Sequence, residues 1–343
     1  MKVNLVNENF KESYLQNLLK TRGVHNIKDF IDPPDSALSD PGLLDNIKQG
    51  ARWLEEVLNK EDSKILIVVD ADVDGYTSGA IMWNYIHTIA PKQHIAYILH
   101  EHKQHGLQDH IDWLVDLEEP YDLIVLPDSS SNDYDYHEIL GRLGTRCLIL
   151  DHHEIDANQK ISQYACIVNN QISKYYPNKD LTGAGVTWQF CRYHESLNIT
   201  SLRPSKNLID LAALGICGDM GSVLSLENRY IMKNGFDNIQ NYFFLSIIRK
   251  QGYSITGKMN PTDEEIIDAL NPTTVAFYVV PMMNAMIRVG TMEEKMRLFE
   301  ALIDGHKQVP CNKRGAKGTT EEVAIESLRE CTNAKAKQTR ITD

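Results

Sequence analysis

The stretch from Lys64 to Gly75, KILIVVDADVDG, constrains this chain more than any other. An apolar run ends in three aspartates at alternate positions and then a glycine. In an extended strand, residues two apart share a face and lie roughly 6.5 to 7 Å apart, so Asp70, Asp72 and Asp74 are expected to point the same way. Three carboxylates that close repel one another, and full ionisation calls for a strong positive charge among them. A divalent cation is the usual solution. The stretch reads as half of a metal site.

The chain beyond it alternates strands with helices. Strands are expected at residues 64–69, 94–100 (HIAYILH), 122–128 (DLIVLPD), in RCLILDHH and in ACIVNN. Helices are expected from about Thr77 to Ala90, entered through Gly75, and in LQDHIDWLVDL and DYHEILGRLG. Near-continuously apolar strands separated by helices indicate an α/β fold, a parallel sheet with helices on both faces. Ligands in such sheets bind beyond the carboxyl ends of the strands. Asp128 ends one apolar strand, and Asp151, His152 and His153 end another, so the other half of the site is expected there.

Later segments are less decisive. LTGAGVTWQFCRYH is a glycine-rich turn entering a helix; its dinucleotide fingerprint is incomplete, and its glycines are expected to serve close helix packing. NLIDLAALGICGDMGSV reads as a buried helix that leaves Asp219 at its end, either as a cap or as a further carboxylate aimed at the crevice. Residues 227–270 read as amphipathic helix whose Arg229, Lys233, Arg249, Lys250 and Lys258 form a solvated face. Arg288 is expected in a largely apolar turn, a setting that invites an acidic partner or a phosphate. His100, His102 and His105 are expected on the surface or in loops.

Composition sets outer bounds. At 343 residues, 42% hydrophobic and 24% charged, the chain is an ordinary globular protein of one large or two medium domains. The six cysteines form no CxxC pair and read as buried reduced thiols. A net charge of -12 argues against a generally adhesive nucleic-acid binder but leaves room for a local basic path. No apolar run approaches the roughly 20 residues of a membrane helix, and the start lacks a signal peptide's apolar core. A cytoplasmic location with no membrane partner is the expectation.

Taken together, these residues resemble the DHH phosphoesterase superfamily, and within it the RecJ-type single-strand-specific exonucleases. DADVDG, the aspartate of LPDSSS, DHH at 151–153 and the pair Gly218 and Asp219 appear in order. RGVHNIKDFIDP, LTGAGVTWQF, IDLAALGICGDM and PMMNAMIRVG resemble further RecJ blocks, and the resemblance runs over roughly residues 20–305. It implies a helical N-terminal segment (1–60), a DHH catalytic domain (61–225), a mainly helical extension (226–305), and a polar linker and helix (306–343). The family's glycine-rich, histidine-containing substrate motif is missing from this sequence. The chain is therefore expected to be a fragment, a minimal relative, or one part of a larger assembly.

The resemblance also implies a site with two divalent cations, Mn²⁺ ahead of Mg²⁺, about 3.5 to 4 Å apart. Asp72 would hold the first metal with Asp70 beside it, Asp128 would bridge, and Asp74, His152 and Asp219 would hold the second. His153 would contact the scissile phosphate or assist the leaving group, with Asp151 orienting a histidine. Arg288 would stabilise the transition state, and Asn284, Lys103, His105 and Ser129 would contact substrate. The implied activity is 5′ to 3′ hydrolysis of single-stranded DNA in recombination and repair, in company with replication or repair proteins. Two alternatives stand beside it: a phosphodiesterase for short oligonucleotides or cyclic dinucleotides, and an inactive scaffold.

Overall fold

The computed structural model describes residues 13–156, 158–199, 201–316 and 318–342. Residues 1–12, including the start read above for a signal peptide, lie outside the described residues. Five parallel strands form the central sheet: β1 (Lys64–Val69), β2 (His94–Leu99), β3 (Leu123–Pro127), β4 (Arg146–Asp151) and β5 (Ala165–Asn169). Their spatial order is β2-β1-β3-β4-β5. Connections from β1 run one way to β2 while β3 lies on its other side, so the strand order reverses between β1 and β3. A crevice opens at such a switch point, beyond the strands' carboxyl ends.

The pleat explains why the strands are apolar throughout. In β1, Ile65, Ile67 and Val69 face one hydrophobic core, while Leu66 and Val68 face the other. The first core is closed by helices α1 (Ile47–Leu58) and α2 (Val73–Ile89), and the second by α3 (Ile111–Val115) and α4 (Tyr134–Arg142). α1 buries Ile47, Gly50, Ala51, Leu54 and Val57, a stripe at helical spacing. A methyl group at Gly50 would stand 2.8 Å from Leu148 Cδ1, so only glycine lets α1 lie this close to the sheet. α5 (Gly183–Ser196) and α6 (Ile209–Gly218) pack on the same side as α2 and complete the first core.

Three local expectations are corrected. β1 stops at Val69 and α2 starts at Val73, so Asp70 and Asp72 occupy a strand-to-helix turn, Asp74 lies in the first turn of α2, and none stands in an extended strand. The reason is capping: Asp72 accepts a hydrogen bond from the Gly75 amide at 3.0 Å and starts the helix four residues earlier than the apolar spacing suggests. Arg288 does not stand in a turn. VAFYVV continues as a π-helical turn, Val275–Val279, into α7 (Val280–Val289), whose last turn carries Arg288. His100 is buried, its ring tilted against that of His110 with centroids 4.5 Å apart, and burial pushes it down to about 3.

α8 (Met292–Ile303) leads to a two-stranded antiparallel ribbon, β6 (Gln308–Pro310) and β7 (Thr320–Glu322), and then to α9 (Val323–Thr342). α9 buries Val323, Ala324, Cys331 and Ala334 against the first core, and Glu330 pairs with Arg297 of α8. The cysteines are free, and all but the half-buried Cys311 are buried. Among the described residues no single helix is long and apolar enough to cross a membrane.

Candidate active site

Four strand and helix ends converge at the switch point. From the β1–α2 turn come Asp70 and Asp74, both buried, and Asp72, partly exposed. β3 delivers Asp128, and the segment after β4 delivers His152 and His153. α6 ends on Asp219, its C-cap, with 40% of the side chain exposed. Ligand atoms of Asp70, Asp72 and Asp128 all lie within 4.8 Å of one another, as do those of Asp74, His152 and Asp219. His152 links the groups: its Nε2 is 3.1 Å from Asp128 Oδ1, 3.7 Å from Asp219 Oδ2 and 3.9 Å from Asp74 Oδ2.

Among the expected metal ligands, Asp74 is the carboxylate most firmly fixed by backbone. Asp74 accepts hydrogen bonds from the Thr182 hydroxyl at 2.9 Å and from the amides of Gly183 and Ala184 at 2.7 and 3.1 Å. These are the opening residues of α5, whose unpaired amides and positive dipole end favour an anion. The glycine expected to serve helix packing therefore serves the site: a Cβ at Gly183 would fall 2.3 Å from Asp128 Oδ1. A Cβ at Gly215 of α6 would fall 2.5 Å from Asp74 Oδ1. Asp128 itself adopts a left-handed backbone (φ +69°), as does Ser130 (φ +75°), an unfavourable conformation concentrated where the side chain leaves β3.

Two histidine–aspartate pairs flank the cluster. His153 Nδ1 lies 2.7 Å from Asp151 Oδ1, and that carboxylate also accepts from the amides of His152 and Ser131. Burial opposes ionisation of Asp151, but the His153 and Ser131 hydrogen bonds outweigh it and hold the carboxyl down to about 2. The same bond raises His153 to about 9. His105 Nδ1 lies 2.6 Å from Asp70 Oδ2, so the histidine expected in a loop and as a substrate contact also touches the carboxylate cluster. The two exposed rings have centroids 6.4 Å apart.

Within the cluster Asp70, Asp74, Asp128 and Asp219 resist ionisation. Burial pushes Asp74 up to about 6, and Asp219 and Asp72 add repulsion that His152 partly offsets. Burial likewise raises Asp70, Asp128 and Asp219, and for Asp128 the surrounding aspartates add to it. Asp70 Oδ1 and Asp128 Oδ1 are both buried with no hydrogen-bond partner. His152 stands near Asp128, but without hydrogen-bonding geometry. Buried, mutually repelling, unsatisfied oxygens are what an oxygen-seeking divalent cation relieves.

The remaining expected substrate contacts lie further out. Ser129 is buried and its hydroxyl has no hydrogen-bond partner; Lys103 is exposed in the loop after β2. Asn284 and Arg288 are four residues apart on one face of α7, Asn284 with an unpaired buried Oδ1 and Arg288 exposed. Neither makes a hydrogen bond or ion pair with the carboxylates. The sequence reading did not single out Thr182, Asn169 or Asp133. Asn169 donates to the Ser131 hydroxyl and to the His153 carbonyl at 3.0 and 2.9 Å. Asp133 accepts from the Ser130 hydroxyl and the Leu107 amide, tying the His105 loop to the Asp128 loop. Threonine before GAG is an N-cap signal that could have flagged Thr182; Asn169 and Asp133 carry no such signal.

Comparison with known proteins bears on this arrangement. A family model described as "DHH family, N-terminal domain" matches residues 64–216, which take in the whole five-stranded sheet and the aspartates and histidines at its strand ends but stop short of Asp219. YorK, an SPbeta prophage-derived protein of Bacillus subtilis (strain 168) whose name reads as a single-strand DNA-specific exonuclease, is 36% identical over 347 aligned positions. That alignment takes in 100% of this chain. Residues 64–216 thus carry a DHH-family N-terminal domain, and the chain is similar to RecJ-like proteins. Single-stranded-DNA-specific exonuclease RecJ of Bacillus subtilis (strain 168) is 25% identical over 272 positions, 79% of this chain and 32% of that protein. The RecJ-like fold recurs in a crystal structure of RecJ from Thermus thermophilus in complex with Mn²⁺. It has a TM-score of 0.68 and 20% identity, and the match covers 94% of this chain and 41% of that one. The chain spans about half the length of YorK, 56% of it.

Proposed function

We propose that this DHH chain is a two-metal phosphodiesterase that hydrolyses single-stranded DNA from an end, in the 5′ to 3′ direction. The observation that carries the reading is the pair of ligand groups, Asp70/Asp72/Asp128 and Asp74/His152/Asp219, joined through His152 and Asp128 and leaving buried carboxylate oxygens unsatisfied. Asp72 with Asp70 would hold one cation, Asp74, His152 and Asp219 the other, and Asp128 both. An oxygen-rich set with one imidazole suits Mn²⁺ or Mg²⁺ better than a thiolate-seeking metal. When bound, such ions supply a nucleophile at neutral pH and polarise the phosphoryl group.

The chain's own groups do the rest. Asp151 holds Nδ1 of His153, which keeps that ring cationic and leaves Nε2 for the phosphate or the leaving oxygen. His105, oriented by Asp70, offers a second imidazole 6.4 Å from that of His153, centroid to centroid. Asn284 and Arg288 supply an amide and a guanidinium on one helix face, suited to a phosphate bound in a fork. Lys103 and Ser129 extend that path. Residues 61–225 contain all the metal ligands, and the α7–α9 region contributes only substrate groups. The names of the relatives support single-stranded DNA as the substrate.

The test is one assay. Single strands labelled at either end are incubated with Mn²⁺ and with chelator. Release of the 5′-label as a mononucleotide, dependent on metal, is the expected result. Cleavage confined to dinucleotides would favour the short-substrate alternative, and no hydrolysis of any strand, with no Mn²⁺ binding near a stoichiometry of two by calorimetry, would favour the scaffold.

A further inference from the structure

We propose that the apolar groove beside Asp219 is a nucleobase site, taking a base of the single strand whose phosphodiester lies on the carboxylate cluster. The inference rests on the phosphodiesterase reading above and adds to it a place for the base. The groove encloses about 610 Å³ and is walled by Ile216, Cys217, Met220, Val223, Leu224 and Phe277. Pockets of roughly 300 to 1,000 Å³ with apolar walls are those that hold small, flat ligands.

Its position is the first argument. Met220 follows Asp219 directly, and a Cβ at Gly221 would stand 3.0 Å from Cγ2 of Thr182, the residue whose hydroxyl holds Asp74. The groove and the carboxylate cluster therefore share a wall. A base in the groove would sit within a nucleotide's reach of the reacting phosphate, whereas a protein partner seated there would obstruct the strand.

The second argument is local conformation. Met220 is 84% exposed and has a left-handed backbone (φ +55°), which a residue with a Cβ adopts at a cost. Phe277 is 71% exposed and lies in the π-helical turn Val275–Val279, an irregularity common at functional sites. Two unfavourable backbone states thus present a thioether and an aromatic ring to the same opening. Aromatic faces stack on any base, which gives affinity without sequence preference. Arg22, exposed at the rim, supplies the cation that a neighbouring phosphate requires.

The test uses the full chain with Mn²⁺ and a hydrolysis-resistant phosphorothioate strand carrying 2-aminopurine at each position in turn. One position is expected to be quenched on binding. Phe277→Ala should remove that quenching and weaken strand binding roughly tenfold, the scale of one lost base stack. Phe277→Tyr should restore both, and Ile161→Ala, another exposed apolar residue, should change neither. Strand binding with no Phe277-dependent quenching at any position would overturn the base site while leaving the phosphodiesterase reading intact. Failure of the wild-type chain to bind or hydrolyse any strand would overturn both. Loss of self-association in Phe277→Ala, with strand binding unchanged, would show that the groove is a protein interface and would overturn the base site too.

Discussion

The amide of Gly183 donates to Oδ2 of Asp74 at 2.7 Å, and a methyl group on the same residue would stand 2.3 Å from Oδ1 of Asp128. One glycine thus orients a carboxylate of one ligand group and makes room for the carboxylate joining both. Gly183→Ala should lower Mn²⁺ affinity and strand hydrolysis roughly 10- to 100-fold, the usual cost of disturbing a group behind a metal ligand. Circular dichroism should show the fold retained. Unchanged metal affinity in this variant would remove Gly183 from the site.

Metal binding should be coupled to protons. Because burial and mutual repulsion raise Asp70, Asp74, Asp128 and Asp219, the metal-free protein favours their protonated forms, with Asp74 titrating near about 6. For a carboxyl raised in the fold, the associated stability is present below its unfolded value of 3.8 and lost as pH rises through about 6. Cations offset that loss. The melting-temperature gain on adding Mn²⁺ should therefore be larger at pH 7.5 than at pH 5, and calorimetry in buffers of different ionisation enthalpy should show proton release. A gain independent of pH would contradict this coupling.

The Asp151–His153 pair predicts the alkaline limb of the pH profile. His153, raised to about 9 by its bond to Asp151, is cationic below that pH and loses its charge above it. Stability from the raised histidine is complete below its ordinary 6.5 and fades as pH rises through about 9. Activity that needs the imidazolium should fall over the same range. Asp151→Asn should move that limb toward neutral pH, and His153→Ala should lower the rate about 10²- to 10⁴-fold. A pH–rate profile for Asp151→Asn that overlays the wild type would exclude the pairing from catalysis.

His105 is expected to act on Asp70. It occupies Oδ2 at 2.6 Å and leaves Oδ1 buried and free for a cation. His105→Ala should weaken Mn²⁺ binding by roughly tenfold, and His105→Gln should recover part of it. Equal affinity in all three proteins would leave His105 as a substrate contact only.

Much of this architecture was legible in the sequence because buried parallel strands are apolar on both faces, so β1 through β5 stand out as runs. The ligands were legible for a related reason: a carboxylate ending such a run has few structural uses. What the residues concealed lay in turn geometry. Alternation suggested that Asp70, Asp72 and Asp74 share a strand face, whereas the Asp72 cap breaks the strand and swings Asp74 onto the start of α5. Arg288 was expected in a turn, yet Pro281 stands at the start of α7 and the helix runs on through Val289. Long-range contacts such as His105 to Asp70 leave no local pattern.

The most direct test is single-turnover hydrolysis of a 5′-labelled single strand by the wild-type chain and by Asp128→Ala, each with Mn²⁺. The account predicts metal-dependent release of mononucleotides by the wild type and a loss of at least about a hundredfold in the variant, which keeps its fold. Equal rates in the two proteins, or hydrolysis undiminished by chelator, would contradict a reaction centred on Asp128.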